Sequence, residues 1–155
     1  MEVTIEIPTK SYLRKFIAVG FGSDIKLTER NWIGVLVLNI LKRKTFKNPS
    51  YDYKRYNFTY NDSLTFKVHL DKTYRYGCVL LDPQKYYINR SIDGIFKDEI
   101  IKQGLINQSA YNIDFKTSIL NILEAYDITE EELNYETIRK HYNRNYKKFQ
   151  NRMIL

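Results

Sequence analysis

The chain has 155 residues, with 25 Lys and Arg against 18 Asp and Glu, a formal net charge of +7, one Cys and two His. That length suits a single domain, here taken as residues 1–155. One Cys excludes an internal disulfide framework and a Cys-based zinc site. Two His far apart in sequence leave no His-based metal site either. The 43% hydrophobic and 15% aromatic content excludes wholesale disorder. Ala occurs only at 18, 110 and 125, while Ile, Lys, Asn, Tyr and Phe abound. A low-GC genome gives the same bias, so surplus Lys and Tyr are not by themselves a nucleic-acid signature.

In chain order, Val3, Ile5 and Ile7 alternate with Glu2, Thr4 and Glu6. This spacing predicts a half-buried strand that Pro8 stops. Tyr12, Leu13, Phe16 and Ile17 predict a helix over 10–19 that ends at Gly20 and Gly22. Thr28 then caps a second helix, 28–43, which is apolar on almost every side and belongs at the centre of the core. The middle reads as β. Phe58 and Tyr60, the turn Asn61-Asp62-Ser63, and the alternation Leu64, Phe66, Val68, Leu70 predict a hairpin. A third strand is expected over Tyr74 to Leu81, with Gly77 at a bulge.

From Asp82, an N-cap followed by Pro83, the chain reads as helical. Ile88, Ile92, Ile95, Phe96 and Glu99 to Gln103 follow helical spacing, which Gly94 and Gly104 weaken, and 105–112 is expected as a loop. A helix follows from about Asp114 to Tyr126. Asp127 breaks it, and Thr129 with Glu132 forms a capping box that opens a short helix over 129–133. Asn134 caps a last helix from Tyr135 to about Gln150. The expected fold is α+β. It has an N-terminal strand and two helices, a central hairpin or meander, and a helical C-terminal half. A soft internal boundary lies near residue 82, between 1–81 and 82–155.

Between Ile138 and Leu155 there are six basic residues and no acidic one. Arg139, Lys140, Asn143, Arg144 and Lys147 fall on one helical face. Arg and Asn can read base edges, whereas Lys147 and Lys148 suit phosphate. The preceding tri-helical order resembles a helix-turn-helix, which makes Arg139, Lys140, Asn143, Arg144, Lys147 and Lys148 the expected DNA contacts. The loop from Lys42 to Arg55 holds six further bases among Tyr51, Tyr53 and Tyr56. Such a mixture could grip single strands. The N-terminal strand-helix-helix order resembles ribbon-helix-helix repressors. There, however, Glu2 and Glu6 would face phosphate, so an ordinary sheet strand is the better expectation.

Enzyme chemistry is weakly represented, and no enzyme activity or cofactor is expected. Asp114-Phe115-Lys116 matches the D-x-K part of a metal-dependent nuclease site, with Asp71 or Asp82 as the further carboxylate. That role needs Asp114 and Lys116 on a strand. Gly20-Phe21-Gly22 is too short for a phosphate loop, and Cys78-Val79-Leu80-Leu81 reads as core. The N-terminus has no basic start or apolar stretch of a signal peptide, and the run Ile33–Leu38 is too short to span a membrane. Cytoplasmic residence is therefore expected.

The stretch Asp127-Ile128-Thr129-Glu130 through Tyr135-Glu136-Thr137-Ile138-Arg139-Lys140-His141-Tyr142 resembles small uncharacterised proteins of phages and integrated mobile elements of anaerobic gut bacteria. The resemblance covers mainly the last 45 residues. It implies a DNA-associated accessory role, in regulation or replication, and brings no established site. The alternative is a structural or interaction component that binds no nucleic acid and oligomerises through tyrosines and apolar helix faces.

Overall fold

The computed structural model describes residues 1–43 and 60–152. Among these residues it is an α+β protein with three strands and seven helices. The chain divides into two compact units, Met1–Ile92 and Asp93–Leu155.

The first unit is built on a sheet of order β1-β3-β2. The alternating N-terminus forms β1 (Glu2–Thr9), with Ile5, Ile7 and Thr9 buried and Glu2, Thr4 and Glu6 exposed. Pro8 does not stop it. β1 is an edge strand, where a missing ladder N–H is tolerated, and Pro8 keeps register opposite Ser63. Buried Thr9 donates to Asn89 Oδ1 at 2.6 Å, and Asn89 donates to the Pro8 carbonyl at 2.8 Å. This bond pair fixes the end of the strand.

Helix α1 (Ser11–Phe21) buries Tyr12, Leu13 and Ile17, and Gly22 ends it at φ 75°. A short strand follows, β2 (Asp24–Lys26), which the sequence reading missed. It pairs parallel with β3 (Asp62–His69), and β3 pairs antiparallel with β1. The N-terminal strand is thus a sheet member within its own chain.

Helix α2 (Trp32–Lys42) is capped by Asn31, whose side chain accepts from Gly34 N, and not by Thr28. Six of its residues are buried. The Thr28 backbone crosses the first turn so closely that a Cβ on Gly34 would lie 1.9 Å from the Thr28 carbonyl oxygen.

In the middle of the chain one expectation is corrected and another falls largely outside the described residues. β3 already has β1 and β2 as neighbours, and its expected hairpin mate around Phe58 lies outside the described residues. Tyr60 is in no strand. The expected third strand is instead the helix α3 (Leu70–Tyr76) and an irregular exit. Thr73 Oγ1 bonds the Leu70 carbonyl at 2.6 Å, and Gly77, at φ 88°, closes the helix where a bulge was expected. Cys78 is exposed, as are Val79 and Leu81, so only Leu80 of that apolar run enters the core.

Helix α4 (Asp82–Tyr111) is continuous for 30 residues and takes in the expected loop over 105–112 up to Tyr111. Gly94 and Gly104 do not interrupt it. At Gly104 a Cβ would come within 3.0 Å of Phe115 and Ile119, so the glycine serves close packing. Buried Gln84 accepts from the Leu81 N–H and donates to the carbonyls of Ile40 and Arg43, which ties the helix start to the end of α2.

The second unit continues from α4 into α5 (Phe115–Ala125), α6 (Tyr135–Arg144) and α7 (Tyr146–Arg152). Helix α5 ends in a Schellman turn. Ile128 N bonds Leu123 O and Asp127 N bonds Glu124 O, both at 2.9 Å, with Asp127 left-handed at φ 57°. The capping box forms as read, since Thr129 N donates to Glu132 Oε2 and Glu132 N to Thr129 Oγ1. It opens a single turn rather than a helix, because only five residues separate Ile128 from the next cap, Asn134. None of the helices among the described residues is long and apolar enough to cross a membrane.

Candidate nucleic-acid interface

The basic C-terminal segment is divided by Asn145 into α6 and α7, where one helix was expected. The Asn145 side chain donates to the His141 carbonyl at 2.9 Å and competes for a group the helix would otherwise use. Burial still follows one stripe. Ile138 and Phe149 are buried, and His141, Tyr142, Asn145 and Lys148 are half-buried between them. Tyr142 packs against Phe115, Tyr146 and Phe149, with ring centroids 5.3–5.7 Å apart.

Two polar residues of that stripe converge on Asp98 of α4. His141 Nε2 lies 2.9 Å from Asp98 Oδ1, and the Lys148 ammonium binds Oδ2. An ionised carboxylate only accepts, so His141 Nε2 is the donor. Burial pushes the Asp98 carboxyl up. The hydrogen bonds from Lys148 and His141 outweigh that and hold it below its ordinary pKa. Asp98 therefore anchors α6 and α7 from one point. The sequence reading did not single it out. Its signal was the i, i+7 spacing of His141 and Lys148 on the apolar stripe.

The six residues expected to touch DNA thus separate. Lys140, Asn143, Arg144 and Lys147 are exposed, and the three cations make no ion pair among the described residues. Arg139 is exposed but lies 2.8 Å from Glu136. Lys148 departs from the expectation, because it faces inward and its ammonium is held by Asp98. The helix-turn-helix likeness is also reduced. Nine residues join α5 to α6, where such motifs use three or four.

The other candidates are placed as follows. Asp114 caps α5 by accepting from Thr117 N at 3.2 Å, and Lys116 lies over the Tyr135 ring. The strand placement that a D-x-K site requires is not met. No group of three or more His, Cys, Asp or Glu among the described residues could hold a metal ion. Of the Lys42–Arg55 segment only Lys42 and Arg43 are described, and both are exposed. The remainder, with Tyr51, Tyr53 and Tyr56, lies outside the described residues.

Charge within the second unit is sorted along the chain. From Thr117 to Ile138 there are six acidic and no basic residues. From Arg139 onward there are six basic and no acidic ones. No protein family, curated protein or solved structure matches this chain.

Proposed function

We propose that this chain binds duplex DNA through the outward face of α6 and α7. The observation that carries the reading is the set Lys140, Asn143, Arg144 and Lys147. These side chains are exposed on a segment whose opposite side is packed and tied to Asp98. Lys140 and Lys147 would neutralise phosphate, and Asn143 and Arg144 have the chemistry to read base edges. Arg139 joins them by exchanging Glu136 for phosphate, since an exposed ion pair is held by about 1 kcal/mol or less. A regulatory or replication accessory role in a phage or mobile element, in the cytoplasm, goes with this reading.

The test is fluorescence anisotropy with labelled duplex at roughly 50 and 200 mM salt. Three phosphate contacts give a log–log slope near −2.7, or about a 40-fold loss over that interval. Arg144→Ala with Lys147→Ala removes one phosphate contact and one base reader, so the slope should move to about −1.8 and affinity should fall, with the melting temperature unchanged. Unchanged binding by the folded double variant, or no binding at the lower salt, would refute the assignment.

A further inference from the structure

The same unit carries a surface of opposite charge. The Schellman turn and the capping box enclose a groove of about 250 Å³ between the end of α5 and the start of α6. Its apolar lining is Leu120, Leu123, Ile128 and Leu133, and its rim includes Glu124, Asp127 and Glu130. Leu120 is 45% exposed there, while Leu123, Ile128 and Leu133 form a buried floor. Glu124 and Glu130 are exposed and make no ion pair among the described residues. An apolar floor beside the exposed Glu124 and Glu130 carboxylates fits an apolar side chain flanked by cations. The chain itself supplies one. Tyr146, 49% exposed, sits between Arg144 and Lys147.

We infer that a second copy of this chain docks its α6–α7 ridge into this groove, with Tyr146 as the apolar anchor and Arg144 and Lys147 facing Glu124 and Glu130. Complementary potentials favour this pairing, and tyrosine and arginine are the side chains enriched at interface centres. The two surfaces differ, so the contact is head-to-tail and can propagate beyond a dimer. It uses the face proposed for DNA, so DNA and a second copy compete.

Sedimentation velocity of the full chain without DNA tests this at about 10 µM to about 500 µM, the range suited to a small contact. The weight-average sedimentation coefficient should rise with concentration at roughly 50 mM salt, and much less at roughly 500 mM. Glu124→Lys with Glu130→Lys should stay monomeric, and so should Arg144→Glu with Lys147→Glu. Mixing these two variants should restore association, because each then meets its opposite charge. The milder Glu124→Gln with Glu130→Gln replaces the first pair if that variant fails to fold. It should weaken association at least about tenfold. A wild-type chain that stays monomeric throughout overturns the inference. So does association that neither variant reduces, or a mixture that does not associate. The groove variants keep the cationic ridge, so their DNA binding reports separately on the proposed function.

Discussion

Replacing Asp98 by Asn isolates the charge that anchors α6 and α7 while keeping the side chain's shape. The carboxylate accepts from His141 and from Lys148, and the three side chains are 26–37% exposed. A buried hydrogen bond to a charged group contributes about 1.5–3 kcal/mol, and an exposed ion pair up to about 1. Partial exposure places the loss on Asp98→Asn at about 1–2 kcal/mol in total. For a chain of this length that is a fall in Tm of about 3–6 °C. The pH dependence follows from the direction of the shift. A carboxyl held below its ordinary pKa contributes stability that is present above about pH 4 and is lost as pH falls through the depressed value. The gap between wild type and variant should therefore be full near neutrality and close in acid. Thermal denaturation followed by circular dichroism at several pH values checks both points. Equal Tm values at neutral pH, or a gap that persists once Asp98 is protonated, would show that Asp98 does not anchor these helices.

Two glycines of the first unit should respond in opposite directions. Gly34→Ala sets a Cβ 1.9 Å from the Thr28 carbonyl oxygen and 2.7 Å from Asn31 Oδ1, so urea denaturation should show a loss of about 3 kcal/mol or more. Gly20→Ala meets nothing within 4 Å inside α1 and should gain about 0.5–1 kcal/mol.

The elements legible in the sequence are those where one periodicity acts alone. The period-two alternation gave β1 and the Leu64–Val68 part of β3, and apolar spacing gave α1, α2 and α5. Asn134 marked the start of α6, and its side chain does accept from Thr137 N at 2.9 Å. Errors arose where a local signal had a tertiary cause. Tyr74 to Leu81 alternates like a strand, yet β3 has neighbours on both sides and the chain leaves through α3. Gly104 looked like a helix end, and its reason for being there is the approach of Phe115 and Ile119. β2 was missed because three residues carry too little pattern. The basic segment was legible as composition, but its division was not. Lys148 differs from Lys147 only through Asp98, 50 residues away.

That division separates local charge from total charge as the cause of any DNA binding. The net charge of the chain is +7, but residues 93–155 hold nine Lys and Arg against ten Asp and Glu. The excess of positive charge therefore lies in residues 1–92, and the C-terminal ridge is basic only locally. With a Debye length of about 8 Å at physiological ionic strength, phosphate close to the ridge senses Lys140, Arg144 and Lys147 more than distant carboxylates. A swap that conserves net charge tests which of the two acts. Arg144→Glu with Glu131→Arg leaves the total unchanged, removes one ridge cation and sets an acid in its place. Glu131 is exposed and does not line the groove. If the ridge binds, affinity should fall and the salt slope with it, because the new carboxylate repels the phosphates that Lys140 and Lys147 contact. If total charge binds, slope and affinity should match the wild type, and the assignment to α6 and α7 would be wrong even for a protein that binds DNA.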